Sequence, residues 1–230
     1  MKINPKQIIV ALDFDTLNEV KEIISFLDPN KFRVKVGKQL FISLGPSIID
    51  FLHDEGFDIF LDLKLHDIPN TVSKALNNIF NKNIWMTNIH LLGGKKMSLA
   101  SVKKKGKSES LLVGVTILTS LDDSFLKEIG IKMTLEELIL KLAHNSQKYG
   151  LDGVVCAVKD VKNIKKKFKN LLTVTPGIRM KVDANDQARS SSLKSAVEVK
   201  SDFMVMGREI TQAKDKAAVV AELESYIIIQ

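Results

Sequence analysis

Asp62-Leu63-Lys64-Leu65-His66-Asp67-Ile68-Pro69-Asn70-Thr71 decides how this chain reads. It follows Asp58-Ile59-Phe60-Leu61, which alternates like a strand, and it leads through Pro69-Asn70-Thr71 into a helical pattern. Residues two apart on an extended strand share a face. Phe60, Asp62 and Lys64 therefore fall on one side, and Ile59, Leu61 and Leu63 on the other. An aliphatic face backed by a charged one suits the functional end of a barrel strand. The aliphatic side meets the surrounding helices, and the charged side looks into the barrel mouth.

Strand and helix patterns alternate along the rest of the chain. The expected strands are Ile8–Asp13, Phe32–Lys38, Asp58–Lys64, Trp85–Leu91, Leu111–Leu118, Gly153–Val158, Leu171–Ile178 and Phe203–Gly207. Helical patterns separate them, with Thr16 expected to cap the first and Pro69 to open the third, where its missing N–H costs nothing. A longer insertion after the fifth strand holds a short helix near Asp122–Ile129 and a main one from Thr134 to Tyr149. The longest polar loop runs from Arg179 to Arg189. Eight such units in 230 residues predict an α/β fold, a (β/α)8 TIM barrel forming a single domain over residues 1–230. The alternative is an open doubly wound sheet, weakened by the absence of Gly-x-Gly-x-x-Gly after the first strand.

Composition narrows the class. The chain is 45% hydrophobic and 27% charged, ordinary for a soluble globular protein. Its one cysteine, Cys156, sits in an apolar run and reads as a small buried hydrophobe, so no disulfide framework is possible and a reducing compartment fits. The first apolar run, Ile8 to Leu12, is too short for a signal peptide, and no run reaches membrane-spanning length. A cytoplasmic protein is expected. The formal net charge of +7 raises nucleic-acid binding as an alternative. The lysines cluster at Lys103–Lys105 with Lys107, read as a linker, and at Lys165–Lys167 with Lys169, read as an amphipathic helix. Neither has interleaved aromatics, so solvated faces are the expected reading.

A barrel collects its chemistry at the C-terminal ends of its strands. Polar residues gather there: Asp13, Lys35, Asp62 with Lys64, Asn88 with His90, Thr119-Ser120, Pro176-Gly177-Ile178-Arg179, and Gly207-Arg208. Singly, each has a plain structural role available: Asp13 or Asp67 could cap a helix, Lys35 could snorkel, and His90 could be a structural histidine. As a set, three aspartates and two lysines in one mouth point to a functional network, because clustered charges are costly unless paired. Loops after the seventh and eighth strands commonly bind phosphate in this fold. Here they carry Arg179, Gln187, Gly207 and Arg208, which suits a phosphorylated substrate.

The Asp-x-Lys-x-x-Asp-Ile-Pro-x-Thr segment resembles the hallmark of the orotidine 5'-phosphate decarboxylase family, bacterial type, at every fixed position. The likeness runs from Ile8 to about Thr211. It takes in Ala11-Leu12-Asp13, Lys35-Val36-Gly37-Lys38, Leu118-Thr119-Ser120, Thr175-Pro176-Gly177-Ile178-Arg179, Asp186-Gln187 and Gly207-Arg208. The resemblance implies decarboxylation of orotidine 5'-monophosphate (OMP) to uridine 5'-monophosphate (UMP) in pyrimidine biosynthesis, with no metal and no cofactor. It implies Lys64 as proton donor to pyrimidine C6, within a network of Lys35, Asp62, Lys64 and Asp67. Asp67 would come from the other subunit of a homodimer. The substrate-binding set it implies is Asp13, Lys35, Asp62, Ile68, Thr71, Thr119, Ser120, Pro176, Arg179, Gln187, Gly207 and Arg208, with Thr71 also contributed by the partner. No nucleic-acid or membrane partner is implied.

Three positions depart from the pattern: Glu209 where proline is usual, Asn185 where glycine is common, and Lys200 where glycine often ends a helix. The nearest rival is a metal-dependent sugar-phosphate decarboxylase similar to 3-keto-L-gulonate 6-phosphate decarboxylase. Such enzymes place a carboxylate metal ligand on the second strand, where this chain has Lys35.

Overall fold

The structure, a computed structural model, describes residues 2–180 and 191–228. Among these, the strands are β1 (Ile8–Ala11), β2 (Phe32–Gly37), β3 (Ile59–Leu65), β4 (Met86–His90), β5 (Leu111–Val115), β6 (Gly153–Val155), β7 (Leu172–Arg179), β8 (Ser191–Ser192) and β9 (Phe203–Met206). Their hydrogen-bonded order is β6-β5-β4-β3-β2-β1-β9-β7-β8, and β6 also pairs with β7. Setting aside the two-residue β8, each strand has a neighbour on both sides, which is the strand order of a closed (β/α)8 barrel. The open doubly wound alternative has free edges and is ruled out.

Helices fill the connections: α1 (Leu17–Ile24), α2 (Lys38–Leu44), α3 (Ser47–Asp54), α4 (Pro69–Phe80), α5 (Gly94–Lys105), α6 (Asp123–Glu128), α7 (Leu135–Tyr149), α8 (Val158–Lys167), α9 (Leu193–Glu198), α10 (Arg208–Thr211) and α11 (Lys216–Ser225). Their starts follow local chemistry. Thr16 caps α1 and Thr134 caps α7, each exchanging bonds with a glutamate three residues on, Glu19 and Glu137. Pro69 opens α4. The expected single helix after β2 is two, because Gly45 turns left-handed at φ 63° and Pro46 offers no N–H to continue the ladder.

By packing, the chain forms two compact units: Met1–Leu63 with Gly177–Glu198 and Asp202–Gln230, and Lys64–Pro176 with Val199–Ser201. In the first, Ile8, Ile9 and Val10 of β1, Val34 and Val36 of β2, Ile59 and Phe60 of β3, and Met204 and Met206 of β9 are all buried, on strands paired β9-β1-β2-β3. In the second, Met86, Ile89, Leu112, Val113, Val154 and Val174 form the strand core. Each such side chain contributes about 1.5–3 kcal/mol on burial. In the same unit α4 turns Val72, Leu76 and Ile79 inward, and α5 turns in Met97 with the small Ser98 and Ser101. These serines return their hydroxyls to Gly94 O and Met97 O, at 3.0 and 2.8 Å, so a polar atom is buried without loss.

Several boundaries differ from the sequence reading. β5 stops at Val115, not Leu118, because buried Thr116 turns both its N–H and its hydroxyl onto Val155 O, at 3.2 and 2.9 Å. β6 ends at Val155, and β8 was not foreseen. Lys103–Lys105 are not a linker. They form the last turn of α5, as Lys165–Lys167 do in α8, where cations oppose the helix dipole. Lys105 also pairs with Asp152 at 2.5 Å. Cys156 is buried, as expected.

Candidate active site

Strand register gathers the first charges. β1 pairs with β2 so that Ala11 lies beside Lys35, and the Leu12 N–H reaches Lys35 O at 2.9 Å, extending the contact towards Asp13. β2 pairs with β3 so that Gly37 lies beside Asp62. Lys35 Nζ then stands 3.1 Å from Asp13 Oδ1 and 3.5 Å from Asp62 Oδ2. The Lys35 and Asp62 side chains are each only 10% exposed, whereas that of Asp13 is 51% exposed. Lys35 is therefore not a snorkelling edge residue, and Asp13 is not a helix cap, since Thr16 takes that place.

Glycines make room for this cluster. A Cβ on Gly37 would lie 3.1 Å from Lys35 Nζ and 3.4 Å from Asp13 Oδ1, so a larger residue there would push into the ion pair. Gly207, half-buried just after β9, would place a Cβ 3.8 Å from Asp13 Oδ2. The Asp13–Lys35–Asp62 cluster and the turn before Arg208 are thus brought together.

Around that turn, Arg179 is the half-buried last residue of β7, and Arg208 is the exposed first residue of α10. Glu209, one of the three departures, accepts a hydrogen bond from the Met180 backbone N–H. Its carboxylate draws the exit of β7 towards the start of α10 and so brings the backbones bearing the two arginines together. The acid is engaged with the backbone and is not left as an unpaired charge. Lys200 is left-handed at φ 61°, the conformation for which glycine is usual at that position. Gln187 and Asn185 lie outside the described residues.

In the second unit, Lys64 is half-buried near the end of β3, two residues after Asp62 on the same strand. Its backbone is left-handed, φ 52°. Simple alternation through Lys64 therefore fails, although the strand continues to Leu65. For a non-glycine residue this conformation costs about 1–2 kcal/mol, so surrounding contacts must hold it. One of them is a 2.8 Å hydrogen bond from Lys64 N to the side-chain Oδ1 of Asn88, which is fully buried on β4.

Asp67 is exposed, and its carboxylate accepts the N–H of the next residue, Ile68, at 2.6 Å. It is not the N-cap of α4, which is Ile68 itself, with no side-chain cap. Ile68 is 67% exposed, and Thr71 is exposed on the first turn of α4. Thr119 and Ser120 lie exposed in a turn four and five residues past β5. Pro176 is half-buried within β7. Asp67, Ile68, Thr71, Thr119 and Ser120 are thus all solvent-exposed in the single chain. His90 packs its ring 5.3 Å from that of His66.

The model of the family described as "Orotidine 5'-phosphate decarboxylase / HUMPS family" matches residues 6–223. The chain belongs to the orotidine 5'-phosphate decarboxylase family. Among its relatives, the orotidine 5'-phosphate decarboxylase of Vibrio atlanticus (strain LGP32) is 43% identical over 229 residues, 96% of this chain and 98% of that one. That of Legionella pneumophila (strain Corby) is 45% identical over 226 residues, with the same coverage. The crystal structure of the enzyme from Lactobacillus acidophilus superposes with a TM-score of 0.84 at 36% identity, covering 97% of this chain and 99% of that one.

Sequence reasoning listed Asn88 only as a polar residue near a strand end. Its bond to the Lys64 N–H was not foreseen, because nothing in Leu63-Lys64-Leu65 signals a left-handed residue. Among the described residues, no group of three or more His, Cys, Asp or Glu side chains is gathered to hold a metal, and no helix is long and apolar enough to cross a membrane.

Proposed function

We propose that this chain decarboxylates OMP to UMP and CO2, the step that supplies UMP in pyrimidine biosynthesis, with Lys64 as proton donor. The observation that carries this reading is the Lys35 ammonium seated between Asp13 and Asp62, two residues before Lys64 on β3. When the C6–carboxylate bond breaks, its electron pair stays on C6 and CO2 departs. A fixed ammonium beside C6 favours that charge and then delivers its proton, giving UMP and a neutral amine that water reprotonates.

The remaining assignments follow the same reading. Asp13 and Lys35 bind ribose hydroxyls, and Asp62 lies against the reacting end. Arg179, Gly207 and Arg208 hold the phosphate. Thr119 or Ser120, Pro176 and Gln187 meet the pyrimidine. Asp67, Ile68 and Thr71 enter the partner's site in a homodimer. Supporting the dimer, Ile68, Leu92 and Leu118 follow the ends of β3, β4 and β5 and are 67, 46 and 40% exposed, an apolar set that suits an interface. The enzyme works in the cytoplasm as one barrel domain, without metal or cofactor, and binds neither nucleic acid nor membrane. Lys35 stands where the sugar-phosphate decarboxylases place an acid and is already engaged with two carboxylates, which speaks against a metal there. Assay of OMP against 3-keto-L-gulonate 6-phosphate, each with and without magnesium, tests this. Turnover of OMP alone supports the reading, and magnesium-dependent turnover of the sugar phosphate overturns it.

A further inference from the structure

We propose that Asn88 is a positioning residue for Lys64, holding the lysine's backbone in the left-handed conformation from which its side chain starts. The inference rests on the decarboxylase reading for its catalytic consequence, but its structural part stands by itself. Lys64 has φ 52° as the next-to-last residue of a strand whose other residues are extended. Lysine gains nothing from that conformation, and a straight strand would relieve the strain. What opposes relaxation is the direction of the Lys64 N–H, which meets Asn88 Oδ1 at 2.8 Å.

Three features make Asn88 suited to this task. It lies on β4, a strand fixed by pairing with β5 at Asn88↔Val113, so its side chain springs from a rigid element. It is fully buried, where an amide oxygen without a donor would be costly, so the bond is strongly held from both sides. Asparagine is also short, with two rotatable bonds, and so fixes the height of its oxygen more tightly than glutamine could.

The consequence concerns aim. Lysine carries its ammonium on a flexible four-carbon stem. The backbone sets where that stem begins and in which direction the Cα–Cβ bond leaves. If Lys64 relaxed to extended φ, the stem would leave along another line, and the ammonium would have to reach C6 from the wrong side. Misplacement of a reacting group by about 1 Å costs on the order of 100-fold in rate. Substrate binding, which depends on groups on other strands, would be largely spared.

The test uses the full-length protein. Asn88→Ala is expected to lower kcat on OMP by about 100-fold, with affinity for UMP little changed. Asn88→Asp, which keeps the oxygen acceptor, is expected to recover most of the lost kcat. Independently, hydrogen exchange of the Lys64 amide in lysine-labelled protein should be slow in wild type and fast in Asn88→Ala, with other strand lysines such as Lys35 unchanged. A purely structural role would lower the melting temperature of both variants without the split between kcat and UMP affinity and without the rescue. The proposal is overturned if Asn88→Ala keeps wild-type kcat, or if Asp rescues no better than Ala. It is equally overturned if the wild-type Lys64 amide exchanges as freely as an exposed one, a measurement that needs no variant to fold. A wild-type chain inactive on OMP would overturn the decarboxylase reading instead, and amide exchange would still decide the role of Asn88.

Discussion

Removing the Lys35 charge while keeping its stem, as in Lys35→Met, separates the stability of the charged cluster from its chemistry. Asp62 would be left buried, its side chain 10% exposed, with its ammonium partner 3.5 Å away deleted. At an effective dielectric constant of about 20, a unit pair at that distance interacts by about 5 kcal/mol. Part is offset, because Lys35 no longer pays its own desolvation. Breaking a buried pair from one side costs about 3–5 kcal/mol in other proteins, and the lower end fits a site open to solvent at Asp13. A loss of about 3 kcal/mol lowers the melting temperature of a chain of this size by roughly 6–12 °C. Asp13→Ala should cost under about 1 kcal/mol, since that side chain is half in water. The double variant Lys35→Met/Asp62→Asn should regain most of the stability lost by Lys35→Met while remaining inactive. Calorimetric melts of the four proteins at neutral pH measure this. A Lys35→Met protein that melts with wild type, or a double variant no more stable than the single, would refute the pairing argument.

Three further outcomes follow from particular residues. Arg208→Ala should lower kcat as well as raise KM for OMP, because binding energy remote from the reacting carbon organises the site; an unchanged kcat/KM would remove Arg208 from the phosphate grip. Lys64→Ala and Asp67→Ala should each be nearly inactive alone, yet their co-refolded mixture should recover roughly a quarter of wild-type activity, since about half of the dimers are mixed and each carries one intact site; background activity with mixed dimers confirmed by native mass would show that Asp67 acts within its own chain. Burial raises the Asp160 carboxyl above its ordinary range, so the folded state keeps its proton to higher pH than the unfolded chain, and stability falls as pH rises from the unfolded value of about 3.9 through the folded one. Asp160→Asn lacks this titration while an amide oxygen can still take the Ala157 N–H, so its melting temperature should gain on wild type across that window; a difference constant with pH would contradict this.

Much of the site was legible because it rests on strand alternation and register. Asp13, Lys35 and Asp62 occupy adjacent strand ends, and their pattern in the sequence foretold that they would meet. Other features were not legible. The left-handed backbone at Lys64 is imposed from β4, and a lysine carries no local mark of it as a glycine would. The end of β5 is likewise set by Thr116 reaching Val155 O on the next strand, so an apolar run through Leu118 misleads. Glu209 reads in the sequence only as a departure where proline is usual; its bond to the Met180 N–H depends on two segments meeting and could not be read from either. The exposure of Asp67 is what the proposed homodimer requires, and no local motif in a single chain marks it.

The most direct test of Lys64 chemistry is the loss of orotidine absorbance on mixing OMP with wild-type protein and with Lys64→Ala, both dialysed against EDTA. Wild type should consume OMP and release UMP and CO2 in equal amounts, with no gain from added magnesium, while folded Lys64→Ala should leave the absorbance almost unchanged. No consumption by the wild-type protein, or consumption by Lys64→Ala at the wild-type rate, would contradict Lys64 as the proton donor of an OMP decarboxylase.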